Sequence, residues 1–179
     1  MVVVPLLLTG EVGVGQMLRN IENQYLNNRG TNIHFALLTD FGDAPSERMP
    51  NDSRLLNLVR LGIIRLNDKY QEEGGDNFFL FHRPRVWNEM EKTWMGRERK
   101  RGKLEDLNRY LVGEDLDAFS CIEGAPHRLS SVRYVITLDA DTLMERDSAT
   151  KMAGAMAHPL NRPKYDETLG RVVAGHGIL

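Results

Sequence analysis

A chain of 179 residues is long enough to bury a sizeable core as one domain, and shares of 41% hydrophobic and 27% charged residues are those of an ordinary soluble globular protein. A net charge of −2 gives no general attraction to nucleic acid or anionic lipid, and a single cysteine, Cys121, excludes an internal disulfide and points to a reducing compartment. No run reaches the length of a membrane span, and the apolar stretch 2–8 is too short for a signal peptide and lacks its basic flank.

The elements alternate. Val2-Val3-Val4-Pro5-Leu6-Leu7-Leu8 reads as a first buried strand, in which Pro5 predicts a bulge or an early end because proline cannot donate to a ladder. Thr9 is placed to cap a helix with Val14, Met17, Leu18, Ile21 and Tyr25 on one apolar face, stopped at Asn27-Asn28-Arg29-Gly30. A second strand follows over 33–39, closed by Asp40-Phe41-Gly42-Asp43. Leu55, Leu56, Val59, Ile63, Leu66 and Tyr70 mark a second helix, which Gly74-Gly75 should break. Residues 77–82 form a third strand. A loop holding both tryptophans, Trp87 and Trp94, leads into a basic helix start, Arg97-Glu98-Arg99-Lys100-Arg101-Gly102-Lys103, with Leu104, Leu107 and Leu111 on its apolar face. Tyr134-Val135-Ile136-Thr137-Leu138 reads as a fourth strand buried on both faces. Met152, Ala153 and Met156 mark a last helix before His158-Pro159, and Val172-Val173-Ala174 begins another strand.

Repeated strand–helix units predict an α/β fold, a mostly parallel sheet with helices on both faces. Such sheets gather ligands at the carboxyl ends of their strands, where strand order reverses. Asp139 and Asp141 follow the fourth strand directly. In extended geometry their i, i+2 spacing puts both carboxylates on one side of the backbone. Two adjacent anions repel unless something positive lies between them, and a divalent cation such as Mg²⁺ or Mn²⁺ carrying phosphate oxygens supplies it. The same three residues also occur in ordinary polar turns. Asp40 ends the second strand, so it should face the same crevice and could accept a hydrogen bond from a base or ribose, although Asp-Phe-Gly-Asp is also turn-like. Arg99, Lys100, Arg101 and Lys103 could neutralise phosphate, or form a solvated helix face. Trp87 and Trp94 offer a sugar platform, a lid, or packing on the third helix. His82 and His158 read as structural or solvated, and Cys121 as small buried filler.

Phe35-Ala-Leu-Leu-Thr-Asp-Phe-Gly-Asp-Ala44, Phe79-Leu-Phe-His-Arg-Pro-Arg85 with Trp87 and Asn88, and Trp94-Met-Gly-Arg-Glu-Arg-Lys-Arg-Gly-Lys-Leu-Glu105 with Asn108 together resemble one family, the cyclic β-1,2-glucan synthases. Tyr134-Val-Ile-Thr-Leu-Asp-Ala-Asp-Thr142 and Ala157-His-Pro-Leu-Asn-Arg-Pro163 complete the set, so the likeness runs from near residue 2 to residue 179. The resemblance implies the nucleotide-binding part of a GT-A-type glycosyltransferase domain at the cytoplasmic face of a bacterial inner membrane. It implies inverting transfer of glucose from UDP-glucose, with a divalent metal, to a glucan acceptor growing on the parent protein. On that reading Asp40 contacts the uracil, Asp139 the ribose and Asp141 the metal, and Lys103 with Arg101 lies near the nucleotide.

The chain departs from the family pattern at Gly42 and Glu145, where relatives are expected to carry Arg and Pro. The acceptor base and a Gln-x-x-Arg-Trp-type segment are expected beyond Leu179, as are the membrane spans and a phosphorylase-like module. The chain therefore reads as an excised piece or a truncated reading frame that is inactive alone, with an exposed sheet edge inviting self-association. Two other classes stay open. A haloacid dehalogenase-type phosphohydrolase also starts from Asp-x-Asp, but it needs Thr or Val where Leu143 stands. A non-catalytic module could use residues 97–103 to hold an acidic partner, with binding that falls steeply with salt and needs no metal.

Overall fold

The computed structural model describes residues 1–71 and 75–179. Its centre is a five-stranded sheet built from β1 (Val2–Leu8), β2 (Phe35–Phe41), β3 (Phe78–Arg83), β6 (Cys121–Glu123) and β7 (Ile136–Thr137), in the order β6-β3-β2-β1-β7. All neighbours run parallel except β6, which is antiparallel to β3. The predicted α/β class holds: helices α1 (Glu11–Asn27), α2 (Asp52–Lys69), α3 (Arg99–Leu111) and α4 (Ser148–Ala157) flank the sheet. Two short hairpins complete the chain, β4 (Val86–Asn88) with β5 (Thr93–Met95), and β8 (Lys164–Asp166) with β9 (Arg171–Ala174).

The alternation of side chains along a strand sorts the core into two layers. Val2, Val4, Phe35, Leu37, Phe78 and Leu80 face α1 and α2, meeting Val14, Met17, Ile21, Tyr25, Val59 and Ile63. Val3, Ala36, Leu38, Phe79 and Phe81 face the other way, on to Leu107 of α3 and Phe119. The apolar stripes expected for α1 and α2 are the buried ones. The two helices approach closely because Gly62 has no side chain: a Cβ there would lie 2.2 Å from Leu18 Cδ1.

Several local expectations are corrected. β1 runs through Pro5 in unbroken register with β2. Val2 N–H points to β2, so the alternating odd residues turn towards β7, and β7 has already ended at Thr137. Proline at position 5 therefore costs no ladder bond. Gly10, not Thr9, is the N-cap residue of α1, and no side chain caps that end. Of the Gly74-Gly75 pair, Gly74 lies outside the described residues and Gly75 takes φ 97°. The tryptophan loop is a hairpin. The fourth strand is a half-buried edge strand of two residues, not one buried on both faces.

From β1 the chain proceeds to β2 and β3 on one side and returns to β7 on the other. Strand order thus reverses at the β1–β7 pair, and the carboxyl ends of β1, β2 and β7 define the candidate site.

Candidate functional site

Leu138 N–H donates to Val3 O at 2.9 Å, after which the chain leaves the sheet. Thr142 N–H closes a turn on Asp139 O at 3.0 Å, so Asp139-Ala140-Asp141 is a turn rather than an extended strand end. The same-side geometry expected from i, i+2 spacing does not apply. Both carboxylates are exposed, and the Asp139 carboxylate pairs with Lys100 at the start of α3. The acidic turn and the basic segment are therefore neighbours, as the sequence pattern required. Among the described residues no group of three or more His, Cys, Asp or Glu side chains forms a closed metal cage.

Asp40 is placed differently. It was expected to open on the same crevice as Asp141, yet it is 1% exposed. Arg83 grips it with two parallel bonds, Nε to Oδ1 at 2.8 Å and a terminal nitrogen to Oδ2 at 2.9 Å, and Lys103 Nζ lies 2.9 Å from Oδ2. Gly96 closes the remaining side: a Cβ there would sit 2.4 Å from Asp40 Oδ2. Lys103, 2% exposed, also donates to Leu6 O at 2.7 Å, which ties α3 to the ends of β1 and β2. Arg83 reaches on to Asp106 at 2.6 Å and to the carbonyls of Arg97 and Arg99 at 3.1 and 3.2 Å, and Arg97 pairs with Asp106 from outside. Burial pulls the Lys103 pKa down against the pull of Asp40. For Arg83 burial acts in the same direction, but bonds to Asp40 and Asp106 outweigh it and the net shift is upward.

The rest of the basic segment fans out. Arg99 pairs with Asp43 at 2.9 Å and Glu91 at 2.7 Å, while Arg101 projects into solvent with Glu98 3.5 Å away. Of the four cations singled out in sequence, Lys100 faces the acidic turn, Lys103 is buried against Asp40 and Leu6 O, and Arg99 and Arg101 point elsewhere. Trp87 and Trp94 pair across the hairpin with ring centroids 5.9 Å apart. Trp94 exchanges both backbone bonds with Ala44, so the hairpin is anchored to the loop after β2 while Trp87 stays exposed. His82 is a core residue whose Nδ1 lies 2.9 Å from Thr39 Oγ1, and His158 Nδ1 accepts from Leu160 N. Cys121 is half-buried, and burial pushes its thiol pKa up.

Arg83, Asp106, Arg85 and Asp52 were not read as site residues. Arg85 bonds Asp52, Gly42 O and Glu47 O and lies over the Phe41 ring, which fixes the loop leaving Asp40. The available signal was Arg83-Pro84-Arg85, two guanidinium groups at a strand's carboxyl end on either side of a residue that stops pairing.

An acidic turn beside a basic helix start, at the switch point of a mostly parallel sheet, is consistent with part of a Rossmann-like fold of the GT-A type. No protein-family model matches the chain. Along its whole length of 179 residues it is 42% identical to the cyclic beta-(1,2)-glucan synthase NdvB of Rhizobium meliloti, and it spans 6% of that protein's length. The resemblance read from the motifs is confirmed at this level. Among the described residues no helix is long and apolar enough to cross a membrane.

Proposed function

We propose that this chain is the nucleotide-sugar-binding part of a glycosyltransferase that transfers glucose from UDP-glucose to a growing β-1,2-glucan, metal-assisted and with inversion. The observation that carries the reading is the whole-length identity of 42% to a protein named as a cyclic beta-(1,2)-glucan synthase. The geometry supports a division of labour around it. Asp141, exposed on the turn, offers a free carboxylate of the kind that hard divalent cations take together with phosphate oxygens. Asp139 and Lys100 stand beside it with opposite charges, so one can accept from a ribose hydroxyl while the other meets diphosphate. The oxygen-only donor set suits Mg²⁺ or Mn²⁺, which would neutralise charge developing on the departing diphosphate.

Asp40 and Lys103 serve this site from beneath. With its carboxylate shared by Arg83 and Lys103 and covered by Gly96, Asp40 holds the start of α3 against the ends of β1 and β2. A direct contact from Asp40 to the base would require the Gly96 backbone to move aside. Arg101 contributes long-range attraction only, and the exposed face of Trp87 remains available to a sugar ring.

Calorimetric titration of the chain with UDP, in Mn²⁺ and in EDTA, tests the reading. Binding that requires Mn²⁺ and survives moderate salt supports it. Metal-independent binding that collapses with salt would instead make residues 97–103 an electrostatic patch for an acidic partner.

A further inference from the structure

Residues 140–147 run outside regular structure into the start of α4, and six backbone groups of 140–149 find partners on α1 and its C-cap residue Asn28. Asn20 Nδ2 donates to Ala140 O at 3.3 Å. Gln24 makes two bonds, donating through Nε2 to Thr142 O at 2.6 Å and accepting at Oε1 from Met144 N at 3.0 Å. Asn27 Nδ2 donates to Met144 O at 3.3 Å, and its own carbonyl accepts from Asp147 N at 3.0 Å. Asn28 Oδ1 accepts from Ala149 N at 2.9 Å, satisfying a first-turn N–H of α4 that the N-cap residue Asp147 leaves without a side-chain bond.

Positions 20, 24 and 27 follow one another about a turn apart along α1, beside the apolar stripe that packs on the sheet, and Asn28 is the residue that caps the helix's C-terminal end. Gln24 and Asn28 are 2% and 1% exposed, so these bonds are made out of water, where a shift of the segment that broke them without uncovering the amides would leave polar groups unsatisfied. Asn20 is itself held by Gln16 Nε2 at 2.7 Å, and Gln16 by Arg19 at 2.8 Å. The bonds begin at Ala140, the residue between the two carboxylates, and a cavity of about 210 Å³ between α1 and β1 is roofed by Ala140 and Thr142. Apolar packing directly under the turn is therefore incomplete, and the hydrogen bonds from α1 act beside the buried side chains of Leu138, Met144 and Ala149 in fixing where it lies.

We propose that Gln24, with Asn20 and Asn28 on either side, is the positioning residue of the Asp139–Asp141 turn. None of the three touches the ligand site. Together they fix the path of residues 140–149 and so the direction in which Asp139 and Asp141 present their carboxylates. The proposal rests on the reading of that turn as the metal–diphosphate site.

The test is UDP titration of the chain in Mn²⁺ and in EDTA for wild type, Gln24→Met and Asn20→Ala, with hydrogen exchange at the Met144 amide. Gln24→Met keeps the length of the side chain and removes both bonds. It should lower UDP affinity in Mn²⁺ by about tenfold while changing it in EDTA by under about twofold, and should speed Met144 exchange. Asn20→Ala, at a half-buried helix position, should lower the Mn²⁺ affinity by about two- to threefold and carries the test should Gln24→Met not fold. Equal losses in Mn²⁺ and EDTA, which a merely structural role would give, overturn the proposal, as does unchanged affinity. A wild type without Mn²⁺-dependent binding overturns the metal reading and this proposal with it. A wild type that binds, beside variants that bind equally well, overturns this proposal alone.

Discussion

Asp40 meets Arg83 and Lys103 with side chains that are 1–3% exposed, whereas Asp139 meets Lys100 with 67% and 51% of their side chains in solvent. The chemistry of the two clusters is the same, carboxylate against cation, but burial reverses what each is worth. In the inner cluster every charge has left water, and it is tolerable only because Asp40, Asp106, Arg83 and Lys103 satisfy one another. In the outer pair solvent screens the attraction, so the ions contribute little to stability and either can exchange its partner for a ligand. On the proposed reading, one cluster builds the site and the other is free to use it.

The largest way to break this contrast is Arg83→Met. It leaves Asp40 and Asp106 facing Lys103 and Arg97, with Asp40 short of its bidentate donor and Asp106 short of one bond. The expected loss is about 3–5 kcal/mol of unfolding free energy in urea titrations. A loss within the range of a surface pair would mean that the inner cluster is solvated after all.

A pH scan sharpens the same point without mutation. Burial, acting first, holds His34 and His82 at a pKa of about 4, below the usual 6.5. The unfolded chain therefore takes up these protons first. The contribution of the two neutral rings is full above pH 6.5 and declines as pH falls toward 4, with a slope of about 1.4 kcal/mol per pH unit for each histidine. Replacing both by Gln should flatten the profile over that window. A wild-type profile already flat there would show that the rings are wetter than their burial implies.

Which parts of this were legible in sequence follows from the range of the forces involved. Apolar spacing in α1 and α2 and β-branched or aromatic runs in β1, β2 and β3 are local signals, and the three strands lie within two residues of where they were read, β2 running 35–41 rather than 33–39 and so including Asp40. Capping at Thr9 failed because Gly10 intervenes and takes an extended backbone that leaves the end uncapped. The β4–β5 hairpin was hidden because its turn passes through Lys92 at φ 52°, a residue that gives no turn signal. Three-residue β6 is too short to show a period. Asp40 was recognised and its surroundings were not, since Arg83 lies 43 residues away in the chain and only pairing of β2 with β3 brings them together. Gln24 was invisible for the same reason, being an amide on a helix whose apolar neighbours carried the pattern.

Asp141→Asn separates use from construction. Exposed and outside the inner cluster, it should change stability by less than about 0.5 kcal/mol. Metal-dependent UDP binding should nonetheless weaken by about 1–3 kcal/mol, the scale of a charged partner lost. Equal UDP affinity in mutant and wild type, with Mn²⁺ present, would remove Asp141 from the site.

The smallest effect belongs to Lys100→Met, and it is the most discriminating. The pair with Asp139 is exposed, so its loss should lower stability by under about 1 kcal/mol, and less as salt is raised. The amine has a second consequence, since it stands beside the carboxylate turn as a cation that any metal must approach. Removing it should slightly raise the affinity of the turn for Mn²⁺ alone, by relieving like-charge repulsion. It should lower affinity for UDP, whose diphosphate loses a point-charge partner, and leave uridine unaffected because uridine carries no phosphate. A uniform drop for Mn²⁺, UDP and uridine would make Lys100 a prop for the turn rather than a ligand group. The outer pair would then be a weaker version of the inner one, and the contrast between them would disappear.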